Sequence, residues 1–197
     1  MRARPLPLRF FARDPLDVAP ELLNTLIAHD RRVGRIVEVE AYSGTDDAAS
    51  HAHRGPTPRN EVMFGPAGRL YVYRSYGIHW CANVVCGTDG VAGAVLLRAV
   101  EPVRGLPAMR AARPKAKSDA DLGAGPGKLC AALDITGDHD GVDLRKGPVR
   151  LLDDDVAPPN QPAQGVRIGI SRAVDHPWRF GVADSPALSR SFAEVTV

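Results

Sequence analysis

The stretch RIVEVEAY, Arg35 to Tyr42, limits the fold more than any other part of the chain, because its alternation is that of a half-buried β-strand. Val37, Val39 and Ala41 are expected on one face and Ile36, Glu38, Glu40 and Tyr42 on the other. Two strand rises would put Glu40 and Tyr42 roughly 7 Å apart. The chain then turns at Gly44, where Asp46 and Asp47 suit a turn or the cap of a short helical turn. From there His51 can fold back over the strand. Such a constellation is a candidate for acid–base work on a flat ligand. The competing reading leaves both glutamates on a solvated face with Tyr42 covering the core.

At 197 residues the chain is expected to form one domain, residues 1–197, with a substantial core. The net charge of +2 says little, but its distribution says more. Residues 54–117 hold ten Lys or Arg against Glu61, Asp89 and Glu101, an excess of seven, which suits either a polyanion or a solvated face. Cys81, Cys86 and Cys130 lack CxxC spacing and an even count, so neither a disulfide framework nor a zinc site is expected, and Cys81 and Cys86 read as core thiols of a reducing compartment. No apolar run approaches the roughly 20 residues of a membrane span. The opening MRARPLPLRFFARD has no apolar segment of signal-peptide length, which points to a cytoplasmic protein.

In chain order, Asp17 is expected to cap a helix with Pro20 in its first turn and an apolar stripe of Val18, Leu22, Leu23, Leu26 and Ile27. The segment from His51 to Gly68 is too rich in Pro, Gly and Arg to be regular, and its length marks it as a functional loop. LYVYRSY and HWCANVVC read as two strands of a β-hairpin joined through Tyr76-Gly77-Ile78, with Tyr71 and Tyr73 on one face and Tyr76 at the tip. In the apolar run VAGAVLLRAVEPV, Arg98 needs a carboxylate, a carbonyl or a ligand as acceptor. Leu106 to Ala112 reads as a short helix and Arg113 to Asp121 as a flexible link. Gly123 to Lys128 then leads into a helix with Leu129, Ala132 and Leu133 at helical spacing. Its glycine-rich start and Lys128 form a phosphate-binding candidate, although the Walker pattern is absent. Short strands are expected at Val166 to Ile170 and Trp178 to Val182, with no evident chemistry there, and His139 is taken as a loop histidine.

Four blocks, VEVEAYSGTDDAASH, TPRNEVMFGPAGRLYVYRSYGIHWCANVV, AVLLRAVEP and GPGKLCAAL, in this order and at similar spacing, closely resemble the alkyladenine (3-methyladenine) DNA glycosylase family. The resemblance covers most of Leu8 to Leu133. It implies an α/β fold of the α+β type: a single compact domain around a curved, largely antiparallel sheet, with flanking helices and a protruding DNA-binding β-hairpin. It also implies excision of damaged purines (3-methyladenine, 7-methylguanine, and deaminated or etheno purines) flipped out of double-stranded DNA, by a monomer with no metal, no cofactor and no membrane. A bacterial member would work in the cytoplasm at the nucleoid, a eukaryotic one in the nucleus. By the same resemblance Glu40 is the general base that activates water, and Arg98 helps to hold that water. Tyr42 and His51 wall the base pocket, Tyr73 packs on the base edge, and Asn83 discourages normal guanine. Tyr76 is the wedge that intercalates, and Lys128 contacts the DNA backbone. HAHRGPTP, which begins at His51, is about one residue shorter than the family pattern between His51 and Thr57 and adds His53, so His51 is kept by register.

The chemistry is consistent with this. A base must leave the stack before an enzyme can act on it, at a cost of a few kcal/mol that a wedge partly offsets. Hydrolysis of an N-glycosidic bond needs a placed water and a carboxylate near the developing oxocarbenium charge. No lysine occurs in the Glu40 strand, so hydrolysis without a Schiff base or strand cleavage is expected, with Lys128 the residue to watch otherwise. The alternatives are a non-catalytic nucleic-acid-binding module and a hydrolase of free nucleosides.

Overall fold

The computed structural model describes residues 3–192. The strands are β1 (Arg4–Pro5), β2 (Leu26–His29), β3 (Arg32–Tyr42), β4 (Leu70–Ser75), β5 (His79–Val85), β6 (Ala94–Arg104), β7 (Val149–Asp153), β8 (Ala163–Gly165) and β9 (Arg179–Gly181). The helices are α1 (Leu8–Phe11), α2 (Pro15–Leu22), α3 (Leu106–Ala112), α4 (Asp119–Leu122) and α5 (Pro126–Leu133). All nine strands join one curled sheet in the order β1-β7-β2-β3-β6-β5-β4, with β9 on β3 and β8 on β9, and every pairing is antiparallel. The expected α+β domain with a curved antiparallel sheet is therefore what forms.

β3 is the spine. One of its edges pairs with β6 throughout, while the other takes β2 at its N-terminal end (Leu26 opposite Arg35) and β9 at its C-terminal end (Gly181 opposite Glu38). The simple alternation expected for this strand does not survive its length. The β3–β6 register is irregular between Ile36 and Val39, and the side chains change face there. Ile36 joins Val39 and Ala41 in the main core, whereas Val37 packs with Ala99 and Ala187 on the other side. Glu38, Glu40 and Tyr42 still share one face.

The helices cover the core face. Val18 and Leu22 of α2, Met109 of α3, Leu122 of α4, and Leu129 and Leu133 of α5 are all fully buried against Leu70, Ala82, Val84, Val95 and Leu97 of the sheet. Truncating any one of these leucines to alanine is expected to cost about 2–5 kcal/mol. α2 starts earlier than expected: Asp14, not Asp17, is its cap and accepts the Leu16 N–H at 2.8 Å, with Pro15 in the first turn where no donor is lost. It also stops earlier, because Asn24 turns the chain at φ 68° and Leu26 and Ile27 pass into β2 between two partner strands. The Arg113 to Asp121 link is part helical, since Ser118 caps α4 by accepting the Asp121 N–H at 3.2 Å. The loop after His51 is irregular apart from one 3₁₀ turn at Glu61–Phe64. No helix among the described residues is long and apolar enough to cross a membrane.

Candidate active site

The face of the sheet opposite the helices carries the candidate residues in a cross-strand row. Glu40 of β3 lies opposite Leu96 of β6, Leu96 opposite Asn83 of β5, and Asn83 opposite Tyr71 of β4. Adjacent strands run about 4.8 Å apart, so this row crosses roughly 14 Å. Two residue pairs along, and so on the same face, Tyr73 lies opposite Cys81. Above the row opens a cleft of ≈ 460 Å³ lined by Tyr42, His51, Tyr73, Asn83 and Arg98 and closed on one side by residues 168–172. Sequence-distant residues meet here because β4, β5, β6 and β3 turn alternate side chains to one side.

Both glutamates are fully buried, and their partners separate them. Glu38 accepts from Arg98 Nε at 2.9 Å, Arg179 Nη1 at 3.2 Å, the Ser189 N–H at 2.6 Å and Ser189 Oγ at 2.8 Å, so donors surround it. Glu40 Oε1 accepts the Ile168 N–H at 2.7 Å and lies 3.0 Å from Arg98 Nη1, while Oε2 accepts from Tyr42 Oη at 2.8 Å. A carboxylate offers about four lone-pair positions, so Oε2 keeps capacity for a further donor such as water. Burial pushes the Glu40 carboxyl above its ordinary range, with Arg98, the Ile168 N–H and Tyr42 acting in the opposite direction. Burial likewise raises Tyr42, which stays a protonated donor to Glu40.

Across the cleft, His51 sets its ring edge-on to Tyr73 with centroids 4.4 Å apart, and its Nδ1 is 3.0 Å from Tyr71 Oη. Tyr71 and Tyr73 stack at 5.6 Å. Burial and the nearby Arg59 cation both lower the pKa of His51, which keeps the imidazole neutral at pH 7. The Tyr71 phenol is pushed up to about 12, chiefly by burial. His53 turns away, with Nδ1 2.8 Å from the Thr45 carbonyl oxygen, so of the two histidines it is His51 that lines the cleft. Asn83 is buried and donates through Nδ2 to the Tyr71 carbonyl at 3.1 Å. All three thiols are buried, Cys86 and Cys130 in the main core and Cys81 beneath the cleft that it helps to line.

Of the two remaining candidates, Tyr76 reaches the cleft and Lys128 lies outside it. Tyr76 is 90% exposed at the tip of the β4–β5 hairpin. Its turn is closed by the Ile78 N–H on the Ser75 carbonyl at 3.0 Å, with positive φ at both Tyr76 (50°) and Gly77 (69°). Lys128, in the first turn of α5, is ion-paired with Asp121. Gly127 lets that turn approach the hairpin: a Cβ there would stand 2.8 Å from His79 Cβ.

The family model for methylpurine-DNA glycosylase (MPG) matches residues 9–186 of the chain. The chain belongs to the methylpurine-DNA glycosylase family. It is 55% identical over 181 residues to a protein of Burkholderia lata, covering 90% of this chain and 87% of that one. To a Nitrobacter winogradskyi protein it is 50% identical over 194 residues, covering 96% and 89%, and to one from Agrobacterium fabrum 52% identical over 189 residues, covering 95% and 93%. All three are named, provisionally, as 3-methyladenine DNA glycosylases. The chain is thus a base-excision-repair DNA glycosylase, a monofunctional hydrolase whose partner is DNA.

The sequence left part of the candidate site unread. Val166 to Ile170 is not the strand expected; β8 ends at Gly165, and the following residues cross over the cleft to deliver the Ile168 N–H to Glu40. Arg167 is buried against Asp47 with Oδ–Nη distances of 2.5 and 2.9 Å, and Arg179 is buried against Glu38. The signal that found Arg98, a guanidinium amid apolar residues in need of an acceptor, was present in VRIGI and WRFGV as well.

Proposed function

We propose that this glycosylase hydrolyses the N-glycosidic bond of alkylated purines, 3-methyladenine and 7-methylguanine foremost, flipped from double-stranded DNA into the cleft, with deaminated and etheno purines as further substrates. The observation that carries the reading is the buried Glu40 carboxylate, held by three residues that line an aromatic-walled cleft (Tyr42, Arg98 and Ile168), with Oε2 still able to accept a proton from water. In this reading Glu40 deprotonates the water that attacks C1′ and its charge stabilises the oxocarbenium character of the transition state. Arg98 fixes the carboxylate and helps to hold the water. Tyr42 and His51 hold the base between them, Tyr73 meets its edge, and Asn83 crowds a guanine amino group. A purine alkylated at N3 or N7 is already cationic and leaves as a neutral base, so the protein need supply little acid catalysis. Tyr76 fills the gap in the stack. Lys128 exchanges Asp121 for a backbone phosphate. The enzyme acts as a monomer, without metal or other cofactor. Among the described residues no lysine lines the cleft, which favours water as the nucleophile.

The test is excision. Duplex DNA carrying methylated purines or hypoxanthine is expected to acquire alkali-labile abasic sites with the native enzyme, and Glu40→Gln is expected to abolish this while binding the duplex. Full activity in Glu40→Gln would remove Glu40 from the chemistry. Release from free nucleosides but not from duplexes would favour a small-molecule hydrolase.

A further inference from the structure

Arg167 has a side chain with no solvent exposure, yet it does not line the cleft. Its guanidinium lies 4.6 Å from the Tyr42 ring centre and 4.9 Å from that of Trp178, held between two aromatic groups. Nη1 and Nη2 form a fork on the Asp47 carboxylate, Nη1 also donates to the Ala41 carbonyl at 3.0 Å, and Nη2 to the Ala173 carbonyl at 3.3 Å. Asp47 in turn accepts the Ser43 N–H at 3.3 Å and the Ala49 N–H at 3.0 Å, which fixes the turn leading from Tyr42 towards His51. The next residue in the chain, Ile168, gives its N–H to Glu40 at 2.7 Å. One cation thus touches a cleft wall, the turn behind that wall and the loop that completes the carboxylate.

We propose that Arg167 is a positioning residue of the glycosylase, bracing Tyr42 from the side away from the cleft and clamping the 167–173 loop so that the Ile168 N–H stays on Glu40. The inference rests on the reading of Glu40 as the base and Tyr42 as a wall. The argument is geometric. Tyr42 has one polar tie, its hydroxyl on Glu40, and a ring held at one end tilts unless a plane backs it. A guanidinium supplies that plane and also a fork for Asp47, whereas a lysine supplies only a point charge. Adjacent Cα atoms are about 3.8 Å apart, so a shift of Arg167 is passed directly to the Ile168 amide. A merely structural ion pair behaves differently: replacing both charges together is often neutral for a buried pair, and chemistry would be untouched.

The test is the double variant Arg167→Met with Asp47→Asn, which leaves no orphaned charge, run beside Arg167→Lys and Glu40→Gln on methylated duplex DNA. The expected result for the double variant is a melting temperature close to wild type, unchanged duplex affinity and a single-turnover excision rate at least tenfold lower. The acid limb of its pH profile should move to higher pH, because loss of the Ile168 N–H removes a donor that favours ionised Glu40. Arg167→Lys should lie between the two. Wild-type rate and an unmoved acid limb in a folded double variant would overturn the proposal, as would the same result in Arg167→Lys should the double variant not fold. A change confined to DNA affinity or melting temperature would also overturn it. If Glu40→Gln is itself fully active, the underlying reading fails; if Glu40→Gln is inactive while both Arg167 variants work normally, only the role of Arg167 fails.

Discussion

Glu38 and Glu40 are two residues apart on one strand, equally buried, and differ in their partners. Four donor contacts, three of them on Oε1, make Glu38 the counter-ion of Arg98 and Arg179. Glu40 is tied instead to Tyr42, Arg98 and Ile168, all of which line the cleft, and burial holds its carboxyl above the ordinary range. The base proposed here works only when ionised, so excision should fall as pH drops through that raised pKa, on a limb lying above the value of about 4.3 for a free glutamate. The stability linkage has the opposite sign: a carboxyl whose pKa rises on folding stabilises the protein below its unfolded pKa, and that contribution is lost as pH rises through the folded pKa. Glu40→Gln, which mimics the protonated group, is therefore expected to be inactive yet at least as stable as wild type at pH 8 by thermal melting. A variant several degrees less stable would mean that the ionised carboxylate holds the fold together.

At the scale of elements, the β4–β5 hairpin places an exposed tyrosine on a turn with left-handed backbone at two successive residues, a conformation that suits glycine and strains other residues by about 1–2 kcal/mol each. Gly77 meets this demand and Tyr76 does not, which fits a ring retained for contact with a ligand. Tyr76→Ala keeps the strain and removes only exposed surface, so its stability should stay within about 0.5 kcal/mol of wild type. Its excision from duplex DNA should nonetheless fall severalfold in single-turnover assays. Gly77→Ala has open space for its methyl and should instead lose about 1 kcal/mol in denaturant unfolding. The hairpin was legible in the sequence because alternation and a turn residue are local signals, as were α3, α5 and the acidic face of β3. The change of face between Ile36 and Val39 was not, since it arises from the irregular pairing of β3 with β6. Leu26 and Ile27 continued a helical stripe and were drawn into a strand by partners on both sides. Arg167, Ile168 and Ser189 reach the site from irregular segments after residue 165, where position is set by distant contacts to Asp47, Glu40 and Glu38 that no periodicity records.

Over the whole molecule, the excess of seven positive charges between residues 54 and 117 is set against 15 Lys or Arg and 20 Asp or Glu elsewhere, a balance of −5 that returns the total to +2. A charge distribution of this kind favours a polyanion on one part of the surface, so duplex binding should weaken steeply with salt, by a slope of about 0.9 in log K per phosphate neutralised. Lys128 tests how that surface is prepared. Its ammonium is held by Asp121, whose carboxyl also lies 3.7 Å from Arg113, and hydrogen bonding to Lys128 is the main reason that the Asp121 carboxyl stays below its usual range. A phosphate that takes Lys128 must first displace this partner, and the displaced carboxylate then repels it. Asp121→Asn removes both obstacles. Fluorescence anisotropy over a series of salt concentrations should show tighter duplex binding for Asp121→Asn and a slope steeper by up to about one counterion, with Lys128→Ala shifted the other way. If Asp121→Asn binds no more tightly than wild type while Lys128→Ala is also unchanged, the Lys128–Asp121 pair serves the start of α5 and the backbone is gripped elsewhere.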